Sequence, residues 1–151
     1  MADLMNTLLG IAEGSALAEL RTQRPEVLRH TQGSHDVLLC PEDPGGLSLA
    51  ERALVAQRVA ALSGHAALAT YYQGLVEARG VVAPARREAL LAHASLLATS
   101  PGRATPDNLT ALRAAGLSER DMVALSQLIA FVSYQVRAAV GLALLAREKV
   151  A

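Results

Sequence analysis

Apolar side chains recur every three or four residues along most of the chain, the spacing that places them on one face of an α-helix. Behind Ser48 this face consists of Leu54, Val55, Val59 and Leu62, and near the C-terminus it consists of Met122, Leu125, Ile129, Val132, Val136 and Val140. The one β-like fragment, Val81–Ala83, is short and lies between a glycine and a proline. The pattern therefore predicts an all-α protein.

Capping residues, prolines and glycines divide this pattern into helices. We expect helices over Asp3–Ile11, Ala16–Gln23, Pro25–Leu39, Ser48 to the break at Gly64, His65–Ala78, Ala85–Ala98 and Thr105–Ala115, and a last helical region from Ser118 onward. The segment Cys40–Gly46 contains two prolines and two glycines and is the clearest loop. Ser48 with Glu51 has the spacing of a helix-capping box.

At a constant displacement, the second half of the chain echoes the first. Ser48 corresponds to Ser118, and Ser63 corresponds to Ser133. We therefore predict an internal two-fold repeat of helical hairpins within a single domain over 1–151. Its parts are an N-terminal helical extension over 1–40, a first hairpin over 47–80 and a second over 117–147.

Composition removes several classes of partner. The 14 basic side chains balance the 14 acidic ones and form no run, which argues against nucleic acid and against an anionic membrane surface. Arg137 interrupts the longest apolar stretch, so we expect no membrane span. The first residues lack the basic start of a secretory signal, and the single cysteine, Cys40, excludes an internal disulfide. We expect a cytoplasmic protein with no cofactor and, from the histidine spacing, no metal.

The segment Leu47–Tyr72 reads as helix, elbow, helix, with Ser63–His65 as the elbow. It resembles the core of the carboxymuconolactone decarboxylase and alkylhydroperoxidase D superfamily, and the resemblance extends over Pro25–Ala146. It implies an AhpD-like orthogonal helical bundle. In the thiol-peroxidase branch of that superfamily the elbow carries the motif C-x-x-C-x-x-x-H.

This chain keeps the frame of that motif and lacks its redox residues. The resemblance places the two cysteines at His65 and Leu68, the final histidine at Tyr72 and the relay glutamate at Ala53. Peroxide reduction of this kind needs a nucleophilic thiolate and a resolving thiol. Cys40 lies before the segment, outside the motif. We therefore expect a peroxidase-related protein without dithiol peroxidase activity.

Other polar groups near the elbow suggest acid–base chemistry instead. The candidate catalytic residues are His65, Tyr72 and Glu51, since a neutral imidazole at a helix N-terminus can act as a base. The candidate pocket residues are Ser63, Leu68, Tyr71, Phe131, Ser133 and Tyr134, whose aromatic rings are expected to converge. Each candidate also has a structural interpretation: Glu51 completes a capping box, His65 caps the elbow, and the rings fill gaps in the core.

Three functions stay open at this point. The first is a non-redox oligomeric homologue or partner subunit. The resemblance implies a dimer, trimer or hexamer, with a cysteine-bearing homologue as a further partner. The second is a decarboxylase-like enzyme that uses His65 and Tyr72 on a small organic substrate. The third is a module that binds a small apolar ligand without turnover. The apolar stripe Met122–Val140 fits a core or an interface equally well.

Overall fold

The computed structural model describes residues 3–148 and contains only helices within that range, which confirms the all-α class. The elements are α1 (Leu4–Leu9), α2 (Ala16–Thr22), α3 (Pro25–Leu39), α4 (Leu49–Leu62), α5 (Ala66–Arg79), α6 (Pro84–Thr99), α7 (Asn108–Ala114) and α8 (Glu119–Glu148). A single 3₁₀ turn, Pro101–Arg103, separates α6 from α7.

The core forms around α4, which packs against α5, α6 and α8. Val55 and Val59 of α4 are fully buried, as are Leu68 of α5, Leu90 of α6 and Leu125 of α8. Burying a side chain of this size stabilises the fold by about 1.5–3 kcal/mol relative to leaving it exposed. The helix that carries the predicted elbow is therefore the central element of the bundle.

Capping boxes begin both α4 and α8. The Ser48 hydroxyl accepts from the Glu51 N–H at 3.3 Å, and the Glu51 carboxylate accepts from the Ser48 N–H at 2.8 Å. Ser118 and Asp121 make the same pair of bonds at 3.2 and 2.9 Å. Because each box satisfies backbone donors that a helix start leaves unpaired, the predicted box at Ser48 is confirmed and α8 repeats it.

The loop between α3 and α4 is fastened to the bundle at Gly46. The Gly46 N–H donates to the Asp121 carboxylate at 2.9 Å. A Cβ atom at Gly46 would lie 2.5 Å from an oxygen of the same carboxylate. A side chain at Gly46 would therefore displace the Asp121 carboxylate, which also accepts from the Ser118 N–H.

The predicted second hairpin over 117–147 does not form, because α8 runs unbroken from Glu119 to Glu148. Ser63 and Ser133 make equivalent bonds, from their hydroxyls to the carbonyls four residues earlier, at 2.9 and 2.8 Å. The residues that follow them differ. Gly64 adopts a φ of 72° and turns the chain, whereas Tyr134 continues the helix. The starts of α4 and α8 are thus alike, but only α4 is followed by an elbow.

The start of α7 also differs from the prediction. The helix begins at Asn108, with Thr105 and Pro106 in the preceding turn. The Asn108 side chain accepts from the Thr105 N–H at 2.7 Å, which closes that turn before the helix starts. An asparagine that bonds the backbone in this way competes with helix formation.

The stripe on α8 is core over most of its length. Met122, Leu125, Ile129, Val132 and Val136 are all buried, and Val140 is 48% exposed. By length and composition α8 is the one described helix that could cross a membrane, and 33% of its most apolar stretch is buried inside the protein. Its contacts with α4 and α6 are those of a core helix. Beyond Val136, Val140, Leu144 and Leu145 are exposed apolar side chains.

Candidate functional site

The elbow joins α4 to α5 through three residues. Ser63 ends α4, Gly64 turns the chain with a φ of 72°, and His65 precedes the first residue of α5. The Gly64 N–H donates to the Ala61 carbonyl at 3.1 Å. A residue with a side chain would be strained at Gly64, so this glycine sets the angle between the two helices.

His65 is the N-cap of α5. Its Nδ1 accepts from the Leu68 N–H at 3.3 Å, in the way that a serine or asparagine side chain caps a helix. Nδ1 can accept this bond only without a proton of its own. A neutral imidazole has one nitrogen without a proton, so the cap occupies the only basic lone pair of the ring and leaves Nε2 as an N–H donor. The catalytic role of His65 stays a prediction.

Replacing His65 with alanine is expected to lower the free energy of unfolding by about 1 kcal/mol, because the Leu68 N–H loses its partner. His65→Asn should recover most of the loss, since asparagine is a strong N-cap. Urea unfolding of the three proteins measures the effect. Equal midpoints for wild type and His65→Ala would show that the cap contributes nothing.

Leu68 and Tyr72 both lie in the core with no exposed surface. The Tyr72 hydroxyl donates to the side-chain oxygen of Gln135 on α8, which is itself 1% exposed. Burial raises the pKa of Tyr72 far above its usual value; Tyr71 raises it further, and the Gln135 bond lowers it. The phenol therefore stays neutral and joins α5 to α8.

Glu51 is 4% exposed and has two structural partners. It closes the capping box with Ser48 and forms an ion pair with Arg86 of α6, whose Nη2 lies 3.1 Å from Oε2. Burial opposes ionisation, but the hydrogen bonds from Arg86 and Ser48 outweigh it and hold the pKa of the carboxyl below its usual value. The structure places Glu51 at the far end of α4 from His65.

The remaining candidates do not converge. Tyr71 pairs with Tyr72 at a centroid distance of 5.1 Å, and Phe131 pairs with Tyr134 at 6.3 Å. Tyr134 is 44% exposed, and its hydroxyl lies 3.1 Å from that of Thr31 on α3. The expected single aromatic pocket is therefore replaced by two pairs in different surroundings. Ser133, inside the unbroken α8, adds no second elbow.

A cluster that sequence reasoning missed lies between α3 and α5. The Tyr71 hydroxyl is 2.9 Å from Nε2 of His35, whose Nδ1 is 3.1 Å from the Asp36 carboxylate. The His35 bond is the main reason that the pKa of Asp36 is lowered, and burial raises the pKa of Tyr71. Cys40 is exposed, with Sγ 2.9 Å from Nη2 of Arg79. The Tyr71–His35 and Cys40–Arg79 contacts join residues far apart in sequence, so no local motif predicts them.

Five cavities lie between the helices of residues 3–148. Ser63, His65, Leu68, Tyr71 and Tyr72 do not line any of these five. Within the same range, no three His, Cys, Asp or Glu side chains come together as a candidate metal site. A mainly apolar cavity of about 440 Å³ lies between α2, α3 and the second half of α8.

Two solved structures share the architecture. An uncharacterized peroxidase-related protein from Silicibacter sp. TM1040 aligns with a TM-score of 0.61 and 21% sequence identity, over 78% of this chain and 68% of that chain. The second is described as an alkylhydroperoxidase AhpD core, an uncharacterized peroxidase-related protein from Ralstonia eutropha JMP134. It aligns with a TM-score of 0.56 and 23% identity over the same shares.

No family model and no curated protein matches the sequence. Identities of 21% and 23% with the two solved structures show a common fold and leave activity open. The resemblance inferred from the elbow segment is thus confirmed at the level of architecture. The chain has the AhpD-like fold of these peroxidase-related proteins.

Proposed function

We propose that this protein is a non-redox, AhpD-like subunit of an oligomer, either of copies of itself or with a cysteine-bearing homologue. The observation that carries the proposal is the exposed apolar end of α8. Two further features support it: the elbow carries no thiol, and Leu68 and Tyr72, which follow it on α5, are fully buried.

The exposed apolar face lies on the last turns of α8. Residues 138–146 include no charged side chain, and Arg137 and Arg147 flank them. Val140, Leu144 and Leu145 are 48%, 57% and 49% exposed. Apolar surface gains about 25 cal/mol for each Å² removed from water, and contiguous patches of it mark interaction sites. Contact with another subunit would bury this face.

The elbow supports the non-redox half of the proposal. A dithiol peroxidase attacks the peroxide with one thiolate and regenerates it through a second thiol. At the first thiol position this chain has His65, which caps α5, and at the second it has Leu68, which is fully buried. The described neighbours are peroxidase-related, which supports common ancestry rather than a retained reaction.

Wild-type protein is expected to reduce cumene hydroperoxide no faster than buffer when dithiothreitol is the reductant. The physical reason is that the two motif positions carry His65 and Leu68, so no thiolate lies at the start of α5, where a helix N-terminus would stabilise it. Consumption of the hydroperoxide measures this, with Cys40→Ser as the matched control. A turnover that Cys40→Ser abolishes would contradict the non-redox assignment.

The decarboxylase-like alternative requires an open pocket in which His65 and Tyr72 meet a substrate. His65 caps a helix, and the Tyr72 hydroxyl is bonded to Gln135 in the core. No observation at the elbow favours this alternative over a structural joint.

A further inference from the structure

An apolar groove separates α3 from the second half of α8, away from the elbow. We call this 440 Å³ cavity the α3–α8 groove. Leu28 of α3 and Leu142 and Leu145 of α8 line it, and Leu20 of α2 closes one side. A Cβ atom at Gly141 would meet nothing within 4 Å, so the floor of the groove is open there. The volume lies within the range of about 300–1,000 Å³ that holds small-molecule ligands.

The two ends of the groove are polar. At one end the hydroxyls of Thr31 and Tyr134 lie 3.1 Å apart. Thr31 is the last α3 residue that lines the groove and Tyr134 is the first α8 residue that does so, so the two helices run along the groove in opposite directions. Arg24 therefore lies at the other end, near Leu145. Seven residues of helix separate Arg24 from Thr31, a distance of about 10 Å along the axis.

The charge on the groove is positive and partly unpaired. Two arginines line it, Arg21 and Arg24, and no carboxylate among the described residues does so. Arg21 already has a partner, since its Nη1 lies 2.9 Å from the Asp3 carboxylate. Arg24 makes no ion pair within residues 3–148. The groove thus offers apolar walls and one free guanidinium at its end.

We propose that the α3–α8 groove binds a medium-chain aliphatic carboxylate. The head group pairs with Arg24, and the chain lies over Gly141 and Leu142 toward Tyr134. A guanidinium matches the two oxygens of a carboxylate and forms charge-assisted hydrogen bonds with them. The apolar walls remove the alkyl chain from water. The proposed ligand thus binds to a surface that lies away from the elbow.

Isothermal titration calorimetry with sodium decanoate below its micelle concentration tests the charge. Wild-type protein is expected to bind one decanoate per chain, and Arg24→Gln to bind it about tenfold more weakly, since a hydrogen bond to a charged group is lost. Arg29→Gln is the matched control: Arg29 is exposed, pairs with Glu26 and lies outside the groove, so its affinity should equal that of wild type. Decyltrimethylammonium, with the same chain and opposite charge, should not bind.

A larger side chain at Gly141 tests whether the apolar walls of the groove bind the alkyl chain. Gly141→Leu should abolish decanoate binding, whereas Gly74→Leu, at an equally open helical glycine on α5, should leave it unchanged. Circular dichroism checks that both variants fold. If Gly141→Leu does not fold, the comparison of Arg24→Gln with Arg29→Gln tests the proposal. Equal affinity of Arg24→Gln and Arg29→Gln for decanoate would overturn the proposal. A wild-type protein that binds no decanoate would also overturn it. If Gly141→Leu then changes the molar mass relative to wild type, a second copy of the chain fills the groove instead.

Discussion

Replacing Arg52 with methionine is expected to lower the free energy of unfolding by about 3 kcal/mol, since buried carbonyls lose their donors. Arg52 is 4% exposed and lies near the start of α4. Its Nε donates to the Leu47 carbonyl at 2.9 Å, and its Nη1 and Nη2 donate to the Leu38 and Pro44 carbonyls at 2.8 and 3.0 Å. One side chain therefore supplies three backbone bonds, one to the last turn of α3 and two to the α3–α4 loop, where the carbonyls have no helical partners.

Methionine isolates the effect of these bonds. It retains an unbranched apolar stem of similar length, so packing along α4 changes little. Arg58→Met is the matched control, because Arg58 is exposed on the same helix and makes one bond, from Nε to the Ser95 hydroxyl at 3.0 Å. We expect that control to change stability by no more than about 0.5 kcal/mol. Equal urea midpoints for the two variants would show that the loop does not depend on Arg52.

Local signals in the sequence predict most helices because the residues that start and stop a helix act through their own backbone. Pro25 and Pro84 occupy first-turn positions, where a missing N–H costs nothing, and both helices begin at those residues. Ser48 caps α4 as its spacing with Glu51 predicts. Such signals involve residues only a few positions apart, so they need no knowledge of the fold.

The unbroken α8 was not predictable from the same signals. Ser133 repeats the hydroxyl bond of Ser63, so the pattern suggests a second elbow. The turn itself depends on the positive φ of Gly64, and Tyr134 at the equivalent place keeps helical geometry. A mid-helix serine is compatible with both outcomes, and the glycine decides between them.

The side-chain partners at the candidate site come from tertiary packing. Tyr72 meets Gln135, and Glu51 meets Arg86, across separations that leave no trace in sequence spacing. Arginine is seldom buried, so nothing in the sequence marks Arg52 as a core residue. The role of His65 as a helix cap was predictable, because the sequence predicts that α5 starts there. The sequence therefore locates the elbow, and packing determines what the elbow can do.

The assembly face on α8 is expected to respond strongly to a single charge. Leu144→Glu places a carboxylate on a side chain that is 57% exposed and lies outside the α3–α8 groove, so the monomer should fold normally. In an interface the same carboxylate would be buried without a partner, which costs several kcal/mol. Val123→Glu is the matched control, because Val123 is also 57% exposed and lies near the opposite end of α8.

Sedimentation equilibrium of these three proteins measures whether α8 forms a contact between copies of the chain. We expect wild type and Val123→Glu to sediment as a multiple of the 15.8 kDa chain, and Leu144→Glu to sediment as a single 15.8 kDa chain with unchanged helix content. A wild-type protein that stays at 15.8 kDa at every concentration would contradict assembly from copies of this chain, and a Leu144→Glu variant with the wild-type mass would contradict the placement of the interface on α8.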